Sequence, residues 1–445
     1  MAASATGITV MIFHRDLRII DHKALEAAAK HGAPVLPLFV FTPEQVSEKN
    51  TLRSLNSIQF MLESLKDLEA AIHADGGKLV FAYGDTAAIL RSLHRRLTPI
   101  AVIVETADYT PYALKRTAAM QALCAEIGAT YEAVADSYLL EPGTAKNRSG
   151  KTFQKFTPFY EAVCGRHIDA PTGRAAGLRW WRGGGASGLK ATRGLKTRGG
   201  GPKTRRRPRI PGEVTLNTMI RRLVPRANAE IAVHGGRTAG LKLLELVPRD
   251  YAAIHDVPAR QTSMLSAHNH FGTLSIREVY ARGKKLGLTE FVRQLWWRDF
   301  YGHIMADFKT LYGVDAYEFQ KTPAREPSEK AKKAFRDWCE AKTGVPLVDA
   351  GMNQLLRTGY MHNRVRLVVA SWLVKDMGVH WRLGERFFAR HLVDYDPAQN
   401  MMNWIWVASV LPFAQAPFRR IDAYKTAEKF DADGEYVKKW GTGDD

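Results

Sequence analysis

The sequence predicts two domains of different class: a doubly wound, parallel-sheet α/β domain over residues 1–140 and an all-α domain over 213–445, joined by a connector over 141–212. Three observations carry this. Strand and helix patterns alternate through the first part, the signature of a parallel sheet. Apolar positions recur at helical spacing through the last. Between them lies a Gly- and Arg-rich stretch. A length of 445 residues suits two or three domains rather than one.

The run Ile8-Thr9-Val10-Met11-Ile12-Phe13 reads as a buried strand, being almost wholly apolar. A helix over 21–31 follows, acidic in its first turn and stopped by Gly32. Val35-Leu36-Pro37-Leu38-Phe39-Val40-Phe41 is a second strand, 54–73 a long amphipathic helix closed by Gly76-Gly77, and 78–83 a third strand. A helix over 86–97 and a strand over 100–105 complete the pattern. No GxGxxG follows the first strand, so the dinucleotide fingerprint is absent. Ligands of such sheets bind beyond the strand C-termini, which points to Phe13-His14-Arg15-Asp16 and to residues 106–112.

The connector includes Gly183-Gly184-Gly185, Gly199-Gly200-Gly201 and Arg205-Arg206-Arg207. It has too little apolar material to offset the entropy of ordering it, Trp180-Trp181 being its one apolar spot. From 165 to 210, thirteen Lys and Arg face one acid, Asp169, so this stretch supplies +12 of a formal net charge of +19. It reads either as an electrostatic tether to nucleic acid or as a solvated insert. The basic balance favours a polyanionic partner. Cys124, Cys164 and Cys339 form no zinc or iron–sulfur spacing, so no metal is expected. No stretch of about eighteen apolar residues is present, and the N-terminus lacks the apolar core of a secretory signal. A monomer in the cytoplasm, or in the nucleus of a eukaryote, is the expectation.

Helical spacing recurs over 213–222, 228–245, 289–311, 328–341, 347–358, 361–376, 380–393 and 399–410. Four clusters there carry chemistry, each with a plain packing alternative. Gln294, Trp297, Arg298 and Tyr301 share neighbouring faces of one helix; aromatics beside Arg can stack a splayed base and hold a phosphate, or simply form an aromatic core. Thr262-Ser263-Met264-Leu265-Ser266 precedes a helix start, suited to phosphate or to ordinary capping. Met361-His362-Asn363-Arg364-Val365-Arg366 places Arg366 in an apolar helix, where it needs a carboxylate such as Asp394 or Asp396. Trp381, Trp404 and Trp406 lie near Asn400 and Asn403, where they could relay electrons to a redox cofactor or fill a core.

In order and spacing these clusters resemble the photolyase/cryptochrome family, over nearly the whole chain apart from the basic stretch. Phe13-His14-Arg15-Asp16-Leu17-Arg18 with Asp21 and Ala24-Leu25 is similar to the family's opening strand and turn. Lys342-Thr343-Gly344, Pro346-Leu347-Val348-Asp349-Ala350-Gly351-Met352, Lys429-Phe430-Asp431 and Gly434-Glu435-Tyr436-Val437 are similar too.

The resemblance implies FAD in the helical domain and UV-damaged DNA as partner. By position, Tyr251 and Thr262, Ser263, Met264, Leu265 and Ser266 would hold the diphosphate side. Phe291 and Asn363 would line the pocket, Arg366 would pair with Asp394 near the flavin ring, and Tyr395 and Asp396 would lie at the cofactor. Asn400 would sit beside the flavin N5. Trp404 and Trp381 match the first two members of an electron-transfer chain whose third Trp is missing, residues 315–320 offering Tyr317 and Phe319. Gln294, Trp297, Arg298, Tyr301, Asn363, Arg364 and Trp406 would meet DNA and lesion.

Repair of (6-4) photoproducts relies on a His pair, and those positions here are Asn363 and Leu367. The match is therefore to enzymes that split cyclobutane pyrimidine dimers with reduced FAD as electron donor. Two positions depart from them: Gln294 stands where a Glu is usual, and Leu367 where a Met is common. A cryptochrome-type photoreceptor is the alternative reading, with a (6-4) enzyme behind it. A second, antenna chromophore of folate or deazaflavin type would sit on the α/β domain, although Tyr109-Thr110-Pro111-Tyr112 lacks the family's folate-binding acid.

Overall fold

A computed structural model describes residues 7–182, 210–321, 328–411 and 415–441. Strands β1 (Ile8–Ile12), β2 (Val35–Phe41), β3 (Val80–Tyr83), β4 (Ile100–Thr106) and β5 (Thr130–Val134) form a parallel sheet in the order β5-β4-β1-β2-β3. Every residue of β1 and β2 is buried, as expected where helices cover both faces of a parallel sheet. β5 lies at the edge with no residue fully buried, which is why it has no apolar run to read in the sequence. The order reverses at β1, so the switch point lies past Ile12 and Thr106.

The connector divides into parts with different fates. Helix Phe156–Val163 buries Phe156, Phe159 and Val163 in the helical core. Trp180 and Trp181 pack on the sheet instead: the Trp181 amide donates to the Val35 carbonyl (2.8 Å) and the Trp180 indole N–H to Asp75 (2.7 Å). The glycine and arginine triplets fall outside the described residues. Beyond them the chain returns to the same sheet. β6 (Glu213–Val214) pairs antiparallel with β3, and Leu216, Met219, Leu223, Ile231 and Val233 join the α/β core. Helical spacing alone does not show that 213–233 belongs to that layer, because the neighbour a helix face buries against is not written in its period.

The remaining helices form the second body. The predicted helix over 289–311 breaks at Asp307 into Thr289–Ala306 and Phe308–Tyr312. The one over 361–376 runs as Asn363–Ser371 and ends in a π-helical turn, Trp372–Asp376. Helices Trp381–His391 and Pro397–Ala408 match the last two windows. Where the bodies meet, Arg277 donates to Asp21 (3.1 Å) and Asp136 (2.7 Å), and Arg18 also pairs with Asp136, all four side chains being buried. Breaking a buried pair of this kind strands a charge. Gly272, at φ +60°, ends helix Ser266–Phe271 against the loop after β1; a Cβ there would lie 2.3 Å from the Arg15 carbonyl oxygen.

Candidate functional site

Helices Thr289–Ala306, Asn363–Ser371, Trp381–His391 and Pro397–Ala408, with residues 251–270, enclose a cavity of about 480 Å3. Small-molecule sites typically measure roughly 300–1,000 Å3. On one side Arg366 reaches both oxygens of Asp394 (2.9 and 3.1 Å) and donates through Nε to the Met361 carbonyl (2.7 Å). Ser266 donates its hydroxyl to the same Asp394 (2.6 Å). Burial would lower the Arg366 pKa, and the Asp394 charge outweighs it, so the guanidinium is held above its usual value. The predicted choice between Asp394 and Asp396 is thereby resolved in favour of Asp394.

Asp396 has another task. Its Oδ1 accepts the Ala398 and Gln399 amides (2.9 and 3.2 Å), capping the helix that carries Asn400, Trp404 and Trp406. Its Oδ2 accepts from Arg15 (3.1 Å) and from His270 Nδ1 (3.0 Å). Burial alone would raise this carboxyl; the His270 hydrogen bond and the Arg15 charge overcome it and hold it well below the usual range. Asp396 lines the cavity, and its two carboxyl oxygens, both engaged by the protein, also fix the helix end.

One turn on, Asn400 donates its amide hydrogens to the Glu385 carboxylate (3.0 Å) and carbonyl (3.2 Å). Tyr395, whose hydroxyl burial keeps protonated far above its usual pKa, hydrogen-bonds the same Glu385. Nothing in the sequence singled out Glu385, one of several charged residues in helix Trp381–His391. Trp404 forms part of the wall, its ring so close to helix Trp381–His391 that a Cβ at Gly384 would lie 2.2 Å from it. Trp381, one turn earlier on that helix, is buried behind the wall and stacks on Phe319 (6.1 Å, 29°). The Tyr317 side chain lies outside the described residues.

Tyr251 and Phe291 meet edge to face (5.3 Å) and line the cavity with Ser263 and Ser266. Thr262, Met264 and Leu265 do not: Leu265 is fully in the core with Leu274 and Leu295, Met264 takes a left-handed turn (φ +53°), and Thr262 hydrogen-bonds Tyr360. Of this short turn only the two serines, three residues apart, line the cavity. Asn269, which sequence reading passed over, lines the cavity with a buried Oδ1 that has no partner among the described residues. An orphaned acceptor facing a cavity awaits a donor from a ligand.

Gln294, Trp297, Asn363, Arg364 and Trp406 line the same cavity from the other side. Trp297 lies flat on Phe156 at 3.6 Å, a support from the connector that no motif revealed. The Gln294 amide has no protein hydrogen-bond partner among the described residues. Arg364 pairs with Asp256 (2.5 Å). Arg298 and Tyr301 line the cavity as well. Arg298 also donates to the Ser137 and Asn269 carbonyls (2.6 and 3.2 Å) and lies over the Tyr138 ring, so its charge braces the domain junction. Tyr301 is buried, its hydroxyl donating to Asn403 (3.4 Å), and flanks Trp297. In both cases helical spacing gave the face but not the depth.

The model of the FAD binding domain of DNA photolyase matches residues 291–441, and that of DNA photolyase matches 9–175. The chain belongs to the DNA photolyase family. This photolyase-family chain is 32% identical to a deoxyribodipyrimidine photo-lyase of Streptomyces griseus, over 98% of its own length and 89% of the relative's. The figures are 30%, 98% and 87% for that of Agrobacterium fabrum. Among solved structures, an archaeal photolyase from Sulfolobus tokodaii with two FAD molecules superposes with a TM-score of 0.79 at 30% identity, covering 98% and 90% of the two chains. A Synechocystis cryptochrome, at 22% identity and 0.79, shares the fold.

The cavity of this photolyase-family chain fits FAD: a fixed guanidinium–carboxylate pair, hydroxyls at Ser263 and Ser266, aromatic walls and an orphaned acceptor converge on it. The switch-point crevice differs. Arg15 spans it to Asp108 (2.9 Å) and Asp396, and Thr106 and His22 close on Asp16. What remains is about 10 Å3, no more than the room of one water. No described helix is long and apolar enough to cross a membrane.

Proposed function

We propose that the protein repairs cyclobutane pyrimidine dimers in DNA under blue light, with FAD held in the helical cavity. The observation that carries this reading is that one cavity holds both residue sets: Arg366, Asp394, Ser266 and Asn400 for the cofactor, and Trp297, Gln294, Asn363 and Arg364 for a flipped lesion. Arg366, Asp394, Ser266 and Asn400 would hold FAD, which in its reduced form would supply light-driven one-electron chemistry at the dimer. The rest falls to the chain.

Trp297, held flat by Phe156, offers a π-face to the extruded dimer, and Trp406 lines the same cavity. Photolyases flip their target out of the duplex, at a few kcal/mol that is least for a damaged pair. Gln294 donates and accepts hydrogen bonds without carrying a transferable proton, so it orients the pyrimidines. Asn363 and Leu367 stand where (6-4) repair needs imidazoles, and neither moves a proton. Asn400, its amide hydrogens held by Glu385, has its amide oxygen left for the cofactor, and Trp404 with Trp381 behind it would form the route by which electrons enter from the protein.

Illumination of the reduced holoenzyme with dimer-containing oligonucleotide tests this reading: recovery of thymine absorbance is expected. A protein that photoreduces its flavin but restores no thymine is instead a photoreceptor, and one that repairs only (6-4) lesions overturns the substrate assignment.

A further inference from the structure

We propose that Asp256 is a built-in competitor for the DNA phosphate that Arg364 binds. The inference rests on the DNA-binding reading above and concerns how tightly that site holds its substrate. Asp256 follows helix Tyr251–Ile254, and Arg364 lies in the first turn of helix Asn363–Ser371; both line the cavity. The guanidinium meets the carboxylate at two points, Nη2 to Oδ2 at 2.5 Å and Nε to Oδ1 at 3.2 Å. Its face lies over the Phe430 ring (5.0 Å). A guanidinium fork binds a phosphate through the same parallel N–H groups it uses for a carboxylate, so the two partners are mutually exclusive.

The exposure of the pair decides its role. The side chains are 27% and 28% exposed, enough for water and salt to weaken the attraction and for a phosphate to reach it. A fully buried pair would stay closed, and an arginine without a partner would grip any duplex. The other charges near Asp256 do not replace Arg364: His255 Nε2 stands 3.8 Å away, and Arg366 is engaged by Asp394. Arg364 therefore exchanges Asp256 for a phosphate when DNA docks and returns to Asp256 when repaired DNA leaves. The exchange frees one cation from the DNA while exposing one carboxylate, so Arg364 adds little to the salt dependence of binding.

Dark binding of the holoenzyme to undamaged and dimer-containing duplexes, titrated with salt, tests the proposal. Asp256→Asn keeps the shape and removes the competing charge. It should tighten binding to both duplexes by about threefold at low salt, the scale of one exposed ion pair, and steepen the log–log salt slope by about 0.9. Dissociation should slow. Asp256→Ser should act likewise, and in an Arg364→Gln background neither change should have an effect. Binding that matches wild type, or a gain that persists without Arg364, overturns the proposal alone. If no protein, wild type included, binds either duplex, the DNA-binding reading falls and takes this inference with it.

Discussion

The indole of Trp297 and the ring of Phe156 are parallel to within 6°, with centroids 3.6 Å apart. Phe156 belongs to the connector and Trp297 to the central helix of the cavity, so the face proposed for the lesion is assembled from two segments. Phe156→Ala should free the indole to rotate and weaken binding of dimer-containing DNA more than that of undamaged DNA. Because Phe156 is buried, the change should also lower stability by about 3–5 kcal/mol; Phe156→Leu, which keeps volume but not the flat face, should lose less stability while still weakening dimer binding. Fluorescence anisotropy with both duplexes and urea titration separate the two effects.

Asp394→Asn leaves the Arg366 guanidinium without its counter-charge in a largely buried place. Stability should fall by about 3 kcal/mol, and flavin content, read from the ratio of visible to ultraviolet absorbance, should drop sharply. Retention of full flavin content would contradict the role given to this pair.

Phe319 stacks on Trp381 at 6.1 Å where a third relay tryptophan would serve. Phe319→Trp should speed bleaching of the oxidised flavin under blue light with an external thiol severalfold, and Trp381→Phe should abolish the gain in the same background.

Asp299 supplies a pH dependence. Its carboxyl is fully buried, and burial pushes its pKa up to about 7 despite the hydrogen bonds it accepts from the Leu140 and Leu139 amides. A folded-state pKa above the unfolded one means the folded state binds the extra proton, so stability is greatest below the unfolded value and falls as pH rises through about 7. Asp299→Asn removes the ionisation. The variant should be more stable than wild type at pH 8, by on the order of a few kcal/mol, seen as a higher thermal midpoint, with a much smaller difference at pH 5.

The parallel strands and the Arg366–Asp394 pair were legible because each follows from a local rule: continuous apolar runs make buried strands, and a charge in an apolar helix needs a counter-charge. The protein partners of Arg298 and Tyr301 were not legible because helical spacing gives the direction of a side chain but not whether another segment covers it. Glu385, Phe156 and Asp256 stayed invisible for the same reason. Each acquires its meaning from a partner 15 to about 150 residues away in sequence, and no window of the chain contains both members.

The sheet edge has a further consequence. The Trp181 amide is tied to Val35, and the Gly212 carbonyl accepts from Tyr83 on the neighbouring part of the same sheet (2.9 Å), so residues 183–209 begin and end on one rigid surface. Closing a loop between anchored ends depends only logarithmically on its length. Excising these residues and splicing the ends with a short Gly/Ser bridge should leave the melting temperature and flavin content unchanged. It would also strip away much of the chain's positive charge, which makes this segment the natural place to graft a different partner-binding sequence onto an intact light-driven core.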